Sequence, residues 1–585
     1  MKFKHSLLAL SITALSSGLI GCGGGGSDSS NTTTPPPATP TNSAPTAIAI
    51  DNANVDENTA GAVIGSLSVT DPDSGDTHTL SVAGDMFVLD GATLRLADGV
   101  MLQADGADAV TTIQAEVTAT DSGNESYTTT LDISVNDIMD RFTFASAINA
   151  GESSVSYTGQ IARHVLIAEL NNYINTQLQS DLDTGVLTTR DAVIEKLNTY
   201  FRTSELAYPD MPVTFLANAE QALISNISSS HKDLVGKIAG NDASGQHKDW
   251  LNGDFAGWGA TGSTTPEALV DTLFGMLADN AEAHLNGTVR QDFNGNDITK
   301  VYVHDNGVDL KQMIQKFLLM SVAYSQGTDD YFGVDTEGKG LLTDNISAQS
   351  AGRAYTNLEH QFDEGVGYFG AAQNYLEYND NELAGSVTSD ADGRADWNGF
   401  HDTDANGSID LTAGYNWGQS VNAAKRDRGT VGNAMPTDYT KQAMEAFIAG
   451  RKVINDNVGQ ALTDEQMTML ETYVETGVDA WERAIVATVV HYINDTYADL
   501  GNIGTEDFNY EDLAKHFAEM KGFALGIQFN ERTQLSDADF ASLHDLMGTA
   551  PVITGDVASY RAGLLQARAI LQTAYGFDAD NVANW

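Results

Sequence analysis

The 585-residue chain reads as a multidomain protein, a small all-β sandwich followed by a large all-α region. Between about Ala44 and Asp137, apolar residues alternate in short runs broken by Asp, Gly and Pro, which is the period of half-buried strands. From about Arg141 onward they recur at three- and four-residue spacing, the period of helices packed on one face. Length adds a third constraint, because a chain this long exceeds a single core and the usual allotment is roughly 150 residues per domain.

Residues 1–22 have the build of an export signal: Lys2 and Lys4 make a basic start and Leu7 to Ile20 an apolar stretch. The segment closes on Leu19-Ile20-Gly21-Cys22, which resembles the bacterial lipoprotein lipobox. That resemblance implies lipidation of Cys22 and anchoring in the bacterial cell envelope. Gly23, standing where some lipoproteins carry aspartate, implies the outer membrane. Cys22 is the only cysteine, so the mature chain has no internal disulfide. No later stretch of about 20 apolar residues follows, so the bilayer is expected as a partner through the lipid alone. Residues 23–43, rich in Gly, Ser, Thr and Pro, read as a flexible tether.

Residues 44–138 form the predicted sandwich. Strands are expected over Ala62–Thr70, Leu94–Leu96 and Ile113–Thr120. Acidic groups punctuate them: Asp56-Glu57-Asn58, Asp71-Pro72-Asp73, Ala119-Thr120-Asp121 and Val135-Asn136-Asp137. Their order and spacing resemble a cadherin repeat. The resemblance implies that Glu57, Asp71, Asp73, Asp121 and Asp137 serve Ca²⁺ at the ends of the sandwich, since a hard ion seeks six to eight oxygens. The family's middle Leu-Asp-x-Glu element has no counterpart near Leu102, and one repeat stands alone where the family usually completes its sites between neighbours.

Residues 139–585 form the predicted helical region. Helices are expected over Gly159–Leu178, from Thr188 as N-cap to Phe201, and over Pro266–His284, Asp309–Tyr324, Thr440–Ile454, Asp464–Tyr497, Tyr510–Ile527, Asp537–Met547 and Val557–Tyr575. Within this region two segments, Glu359–Phe369 and Ala514–Ala524, share Phe-x-Glu-x-x-Gly-aromatic with a histidine just upstream. They suggest a duplicated bundle, in two packed parts. On a helix each pattern sets imidazole and carboxylate on one face. His360, Asp363, Glu364, His516 and Glu519 are therefore candidate ligands for a transition metal such as Fe or Zn. His164 and His491 are possible additions.

A second acidic element interrupts the helices at about 386–414. Asp402, Asp404, Asn406, Gly407, Ser408, Ile409 and Asp410 match the first nine positions of an EF-hand-type loop. Ala413 stands where a closing glutamate belongs, so Asp390, Asp392 and Asp396 are the candidates to complete the shell, much as in thrombospondin-like or dockerin-like calcium loops.

Blocks at Ser154–Arg163, Asp363–Gly370, Ser420–Asp427, His516–Asn530 and Tyr575–Trp585 resemble a bacterial lipoprotein family known only as a domain of unknown function. A more distant similarity is to imelysin-like proteins, exported α-helical proteins linked with iron uptake. Their Gly-x-His-x-x-Glu motif is matched at Ala514-Lys515-His516-Phe517-Ala518-Glu519 except that alanine replaces glycine, while His360-Gln361-Phe362-Asp363 keeps only histidine and acid.

Composition narrows function. With 80 acidic residues against 30 basic ones the net charge is -50, which repels phosphate backbones and makes nucleic acid an unsuitable partner. The basic run Lys425-Arg426-Asp427-Arg428 is a local exception, suited to an anion or to the acidic surface around it. No His-Glu-x-x-His zinc motif, nucleophile elbow or phosphate loop occurs. The reading is a cell-envelope lipoprotein that binds metal ions, with a place in iron acquisition and with structural calcium. Its rivals are a calcium-dependent adhesion protein that contacts cell-surface proteins and an imelysin-type metallopeptidase.

Overall fold

The computed structural model describes residues 41–585 except 58, 60, 101, 103, 105–109, 137 and 243–245. The predicted signal, Cys22, most of the tether and Asp137 lie outside the described residues. The chain divides into two compact units between Ile138 and Met139, each described by itself.

Among the described residues the first unit has eight strands. β1 (Ala47–Ile50), β3 (Val63–Thr70), β5 (Phe87–Asp90) and β6 (Thr93–Leu96) make one sheet in the order β1-β3-β6-β5. β2 (Asn54–Asp56), β4 (Thr79–Val82), β7 (Thr112–Thr120) and β8 (Ser126–Asn136) make the other, ordered β2-β8-β7-β4. Alternation sets the core: along β7, Ile113, Ala115, Val117 and Ala119 are buried while Gln114 and Glu116 face out. Leu94, Leu96 and Ile133 join them fully buried, each side chain of that size contributing about 1.5–3 kcal/mol. β7 and β8 pair antiparallel with Thr120 opposite Ser126 and Thr112 opposite Ser134.

The second unit is helical. α1 (Thr158–Asn172) passes through a π-helical turn (Tyr173–Gln177) into α2 (Leu178–Asp183), and α3 (Arg190–Phe201), the short α4 (Ile224–Ile227) and α5 (Pro266–Leu285) follow. α6 (Leu310–Leu318) widens into two π-helical stretches, Leu319–Tyr324 and Gln326–Tyr331. Then come α7 (Asn357–Phe369), α8 (Asp380–Leu383), α9 (Gly418–Arg428), α10 (Tyr439–Asn455) and the 38-residue α11 (Asp464–Gly501). α12 (Tyr510–Gly526), α13 (Asp537–Met547), α14 (Val557–Tyr575) and α15 (Ala579–Asn584) complete the unit.

Side-chain caps start many of these helices. Thr356 and Glu359 close a capping box on α7, Thr463 and Gln466 one on α11, and Asn509 caps α12. α3 is capped by Thr189, one residue after the expected Thr188. The expected helix to Tyr324 is α-helical only to Leu318, beyond which the wider π turn takes over.

α11 packs against α9, α10, α12 and α14, and one hydrophobic cluster runs from Phe142 to Trp585. A small separate cluster forms around Val303, Tyr510 and Ala514. The glycines of the Glu359–Phe369 segment have a packing role. A Cβ at Gly367 would lie 2.6 Å from Tyr157 Cβ, and one at Gly365 as close to the Phe332 ring. Gly370, at φ 72°, ends α7 in the left-handed conformation. No helix of the described residues is long and apolar enough to cross a membrane.

Candidate metal centres

In the sandwich, strand register gathers carboxylates that are distant in sequence. Asp71 follows β3 and Asp121 follows β7, while the segment 71–78 crosses from one sheet to the other before β4 pairs Thr79 with Thr120. Asp71, Asp76 and Asp121 meet at that end, offering carboxylate oxygens within 4.8 Å of one another. Among the described residues this is the one group of three or more His, Cys, Asp or Glu so placed.

The surrounding bonds hold these groups in place. Asp71 accepts from Asp73 N at 2.7 Å and pairs with His78 Nε2 at 3.0 Å. Asp121 is buried and accepts from the backbone N–H of Gly123 and Glu125 and from Asn42 Nδ2 at 2.9 Å. Asp73 accepts from Ser43 N at 2.6 Å. Asp76 accepts from Ser122 Oγ and Thr77 N, which together hold its carboxyl below the usual range. Three carboxylates together supply hard oxygen donors of the kind that suits Ca²⁺. Sequence reasoning missed Asp76, whose signal was the run Asp71-x-Asp73-x-x-Asp76.

Glu57 belongs to the other end of the sandwich. β2 runs parallel to β8, with Asp56 level with Asn136, so the chain after β2 emerges opposite the Asp121 turn. There Glu57 is fully buried and accepts from Ile138 N at 2.9 Å and from Ala104 N. Of the predicted sandwich ligands, Asp71 and Asp121 therefore lie at one end and Glu57 at the other.

The loop at 402–410 has the expected local form. Asp402 accepts from Asn406 N at 3.1 Å and Gly407 N at 2.7 Å, and these bonds, Gly407's first, hold its carboxyl below the usual range. Asp404 accepts from the Asn406 amide, and Asn406 from Ser408 N. Gly407 stands at φ 90°, a conformation glycine takes without strain. Ile409 is buried and bridges to the chain at Ala219. Asp410 is engaged by Gln221, Thr412 N and Thr412 Oγ1. The preceding acids organise a different turn. Asp392 accepts from Thr388 and Ser389, Asp390 is exposed, and Asp396 is 76% exposed and 4.0 Å from His401. No three carboxylates of this region converge as those of the sandwich do.

In the helical unit, two of the five predicted transition-metal ligands face basic partners. Asp363 and its neighbour Glu359 pair with Arg451 of α10 at 2.7 and 3.0 Å, all three side chains being 0% exposed. Burial pushes the Asp363 carboxyl up to about 6 despite Arg451. Glu519 pairs with Lys316 at 3.3 Å. His360 bonds the Ser156 carbonyl through Nδ1 at 3.0 Å, stacks on Tyr355, and sits 3.7 Å from Glu364. Glu364 accepts from Gln160 Nε2 at 2.7 Å.

His516 instead faces α11. Its Nδ1 lies 2.8 Å from Asp499 Oδ2 and its Nε2 3.8 Å from Asp495 Oδ2, which is also 3.3 Å from His491 Nε2. Periodicity cannot reveal these partners, although His491, Asp495 and Asp499 do recur at four-residue spacing on one helix. His164 is a core residue stacked on Trp417, pushed down to about 4 by burial. In the basic run, Asp427 accepts from the Tyr439 and Thr440 N–H groups at the start of α10, and Arg428 donates to Asn381.

Fold and sites define a two-part protein, a β-sandwich with an acidic centre at one end and a helical unit. Residues 142–403 match the family model described as Domain of unknown function (DUF4856). The match takes in the blocks at Ser154 and Asp363 and stops before those at Ser420, His516 and Tyr575. No curated protein and no solved structure matches the chain.

Proposed function

We propose that the protein is a lipid-anchored cell-envelope protein that binds metal ions, with Ca²⁺ held at the end of its sandwich by Asp71, Asp76 and Asp121. The observation that carries this reading is the convergence of those three carboxylates from two sheets. The pattern of residues 1–22 supports the anchor, and the net charge of -50 concentrates cations at the surface. The Asp402 loop is a second, weaker Ca²⁺ site, because Ala413 leaves its shell open and Asp410 is turned toward Gln221. The cadherin-like acidic pattern supports the finer description of the sandwich. A role in iron acquisition rests on the imelysin-like motif alone.

Isothermal titration of Ca²⁺ into the purified protein tests the reading. The expected dissociation constant is on the order of 10⁻⁴–10⁻³ M, as in extracellular modules, and Asp121→Asn weakens it at least tenfold. Equal affinity in that variant refutes the assignment.

A further inference from the structure

We propose that His491 and Asp495 of α11 and His516 of α12 form a transition-metal site, with Asp499 as the residue that orients His516. This inference is independent of the calcium reading, since it uses other residues and other chemistry.

Asp495 Oδ2 lies between two imidazole nitrogens, 3.3 Å from His491 Nε2 and 3.8 Å from His516 Nε2. Around one ion with bonds near 2.1 Å, neighbouring ligand atoms stand about 3.0–3.4 Å apart, so one of these separations fits and the other is slightly long. The third edge, between the two Nε2 atoms, exceeds 4.8 Å. Binding therefore draws the imidazoles inward around Asp495, as side-chain rotation at a partly exposed site allows. The side chains of His491, Asp495 and His516 are 29%, 35% and 19% exposed, so an ion can enter from solvent.

His516 Nδ1 bonds Asp499 Oδ2 at 2.8 Å. An Nδ1 proton donated to Asp499 leaves Nε2, on the side of Asp495, as the atom that would ligate an ion. A carboxylate behind a ligating histidine in this way fixes its tautomer and raises its basicity. Two imidazoles and one carboxylate leave open positions for water or a further ligand and suit Zn²⁺, Fe²⁺ or Co²⁺ better than Ca²⁺. Arg426 from α9 and Lys515 from α12 also act on Asp495 and repel a cation, so binding here rests on nitrogen ligation rather than on attraction of charge.

The test is titration of the full-length protein with Zn²⁺, and separately with Co²⁺ monitored by its visible absorption, in saturating Ca²⁺. Wild-type protein is expected to take up one equivalent, and His491→Ala and His516→Ala each to lose it. Asp499→Asn, which leaves the three ligands in place, is expected to weaken binding about 10- to 100-fold. Asp121→Asn, in the sandwich, is expected to leave Zn²⁺ binding unchanged. If a histidine variant loses its helical circular dichroism, His491→Gln and Asp495→Asn give the same reading with smaller changes. Uptake that persists in the folded histidine variants, or no equivalent bound by wild type, overturns the proposal.

Discussion

Replacing Arg451 with methionine tests the claim that the Glu359–Phe369 segment serves the core rather than a metal. The Arg451 guanidinium, 0% exposed, bonds Asp363 at 2.7 Å, Glu359 at 3.0 Å and Ser154 Oγ at 2.8 Å, tying α7 and α10 to the chain before α1. Removing the cation strands two buried carboxylates, a change that costs about 3–5 kcal/mol. The loss depends on pH. With Arg451 present, the Asp363 carboxyl already rises from 3.8 to about 6, equivalent to about 3 kcal/mol. The folded state thus binds the extra proton between those values, and this group's contribution to stability falls as pH rises through that window. Without Arg451 the carboxyl rises further, so Arg451→Met is expected to lose more stability at pH 8 than at pH 5. The triple variant Arg451→Met/Glu359→Gln/Asp363→Asn, which leaves no buried charge, is expected to recover most of the loss. Urea denaturation followed by circular dichroism at both pH values reads each effect. A loss below about 1 kcal/mol, or one equal at both pH values, would refute the reasoning.

Two further outcomes follow from other sites. Lys521 is fully buried and donates to His544 Nδ1 at 2.8 Å, and burial pushes its amine from 10.5 down to about 7. The unfolded state therefore binds more protons between those values and stability rises with pH across them. The displacement is worth about 5 kcal/mol, less about 1–3 kcal/mol for leaving His544 without its donor. Lys521→Met is thus expected to stabilise the protein by about 2–4 kcal/mol below pH 7 and to flatten its pH dependence from 7 to 10, as read from denaturation midpoints. At the loop, Asp402→Asn/Asp404→Asn is expected to remove the weaker Ca²⁺ step from a titration and leave the stronger one, whereas loss of the stronger step would reverse the two assignments.

Much of the architecture was legible in the sequence because it is local. Alternation along β7 and three-four spacing along α5, α11 and α14 specify which faces are buried, and the helices expected from Asp464 and Asp537 start at those residues. The EF-hand-type pattern likewise encodes a turn closed within a few residues, which the structure shows around Asp402. What periodicity does not carry is the partner. Asp363 meets Arg451 from 88 positions away, and His516 meets Asp495 and Asp499 of α11 rather than Glu519, because those pairings depend on how helices pack. Asp76 is a similar case, since its value lies in the sheet crossing that brings it to Asp121. The π-helical stretch after Leu318 also escaped, for its apolar spacing reads as ordinary helix.

The central claim is that Asp71, Asp76 and Asp121 hold one Ca²⁺. Its most direct test is the calcium content of purified protein after equilibrium dialysis at 1 mM Ca²⁺, about the upper end of the expected dissociation constants, compared with Asp71→Asn/Asp76→Asn/Asp121→Asn. We expect the triple variant to lose up to one equivalent while its helical circular dichroism and its Zn²⁺ uptake stay unchanged. Equal calcium content in the two proteins would contradict the account.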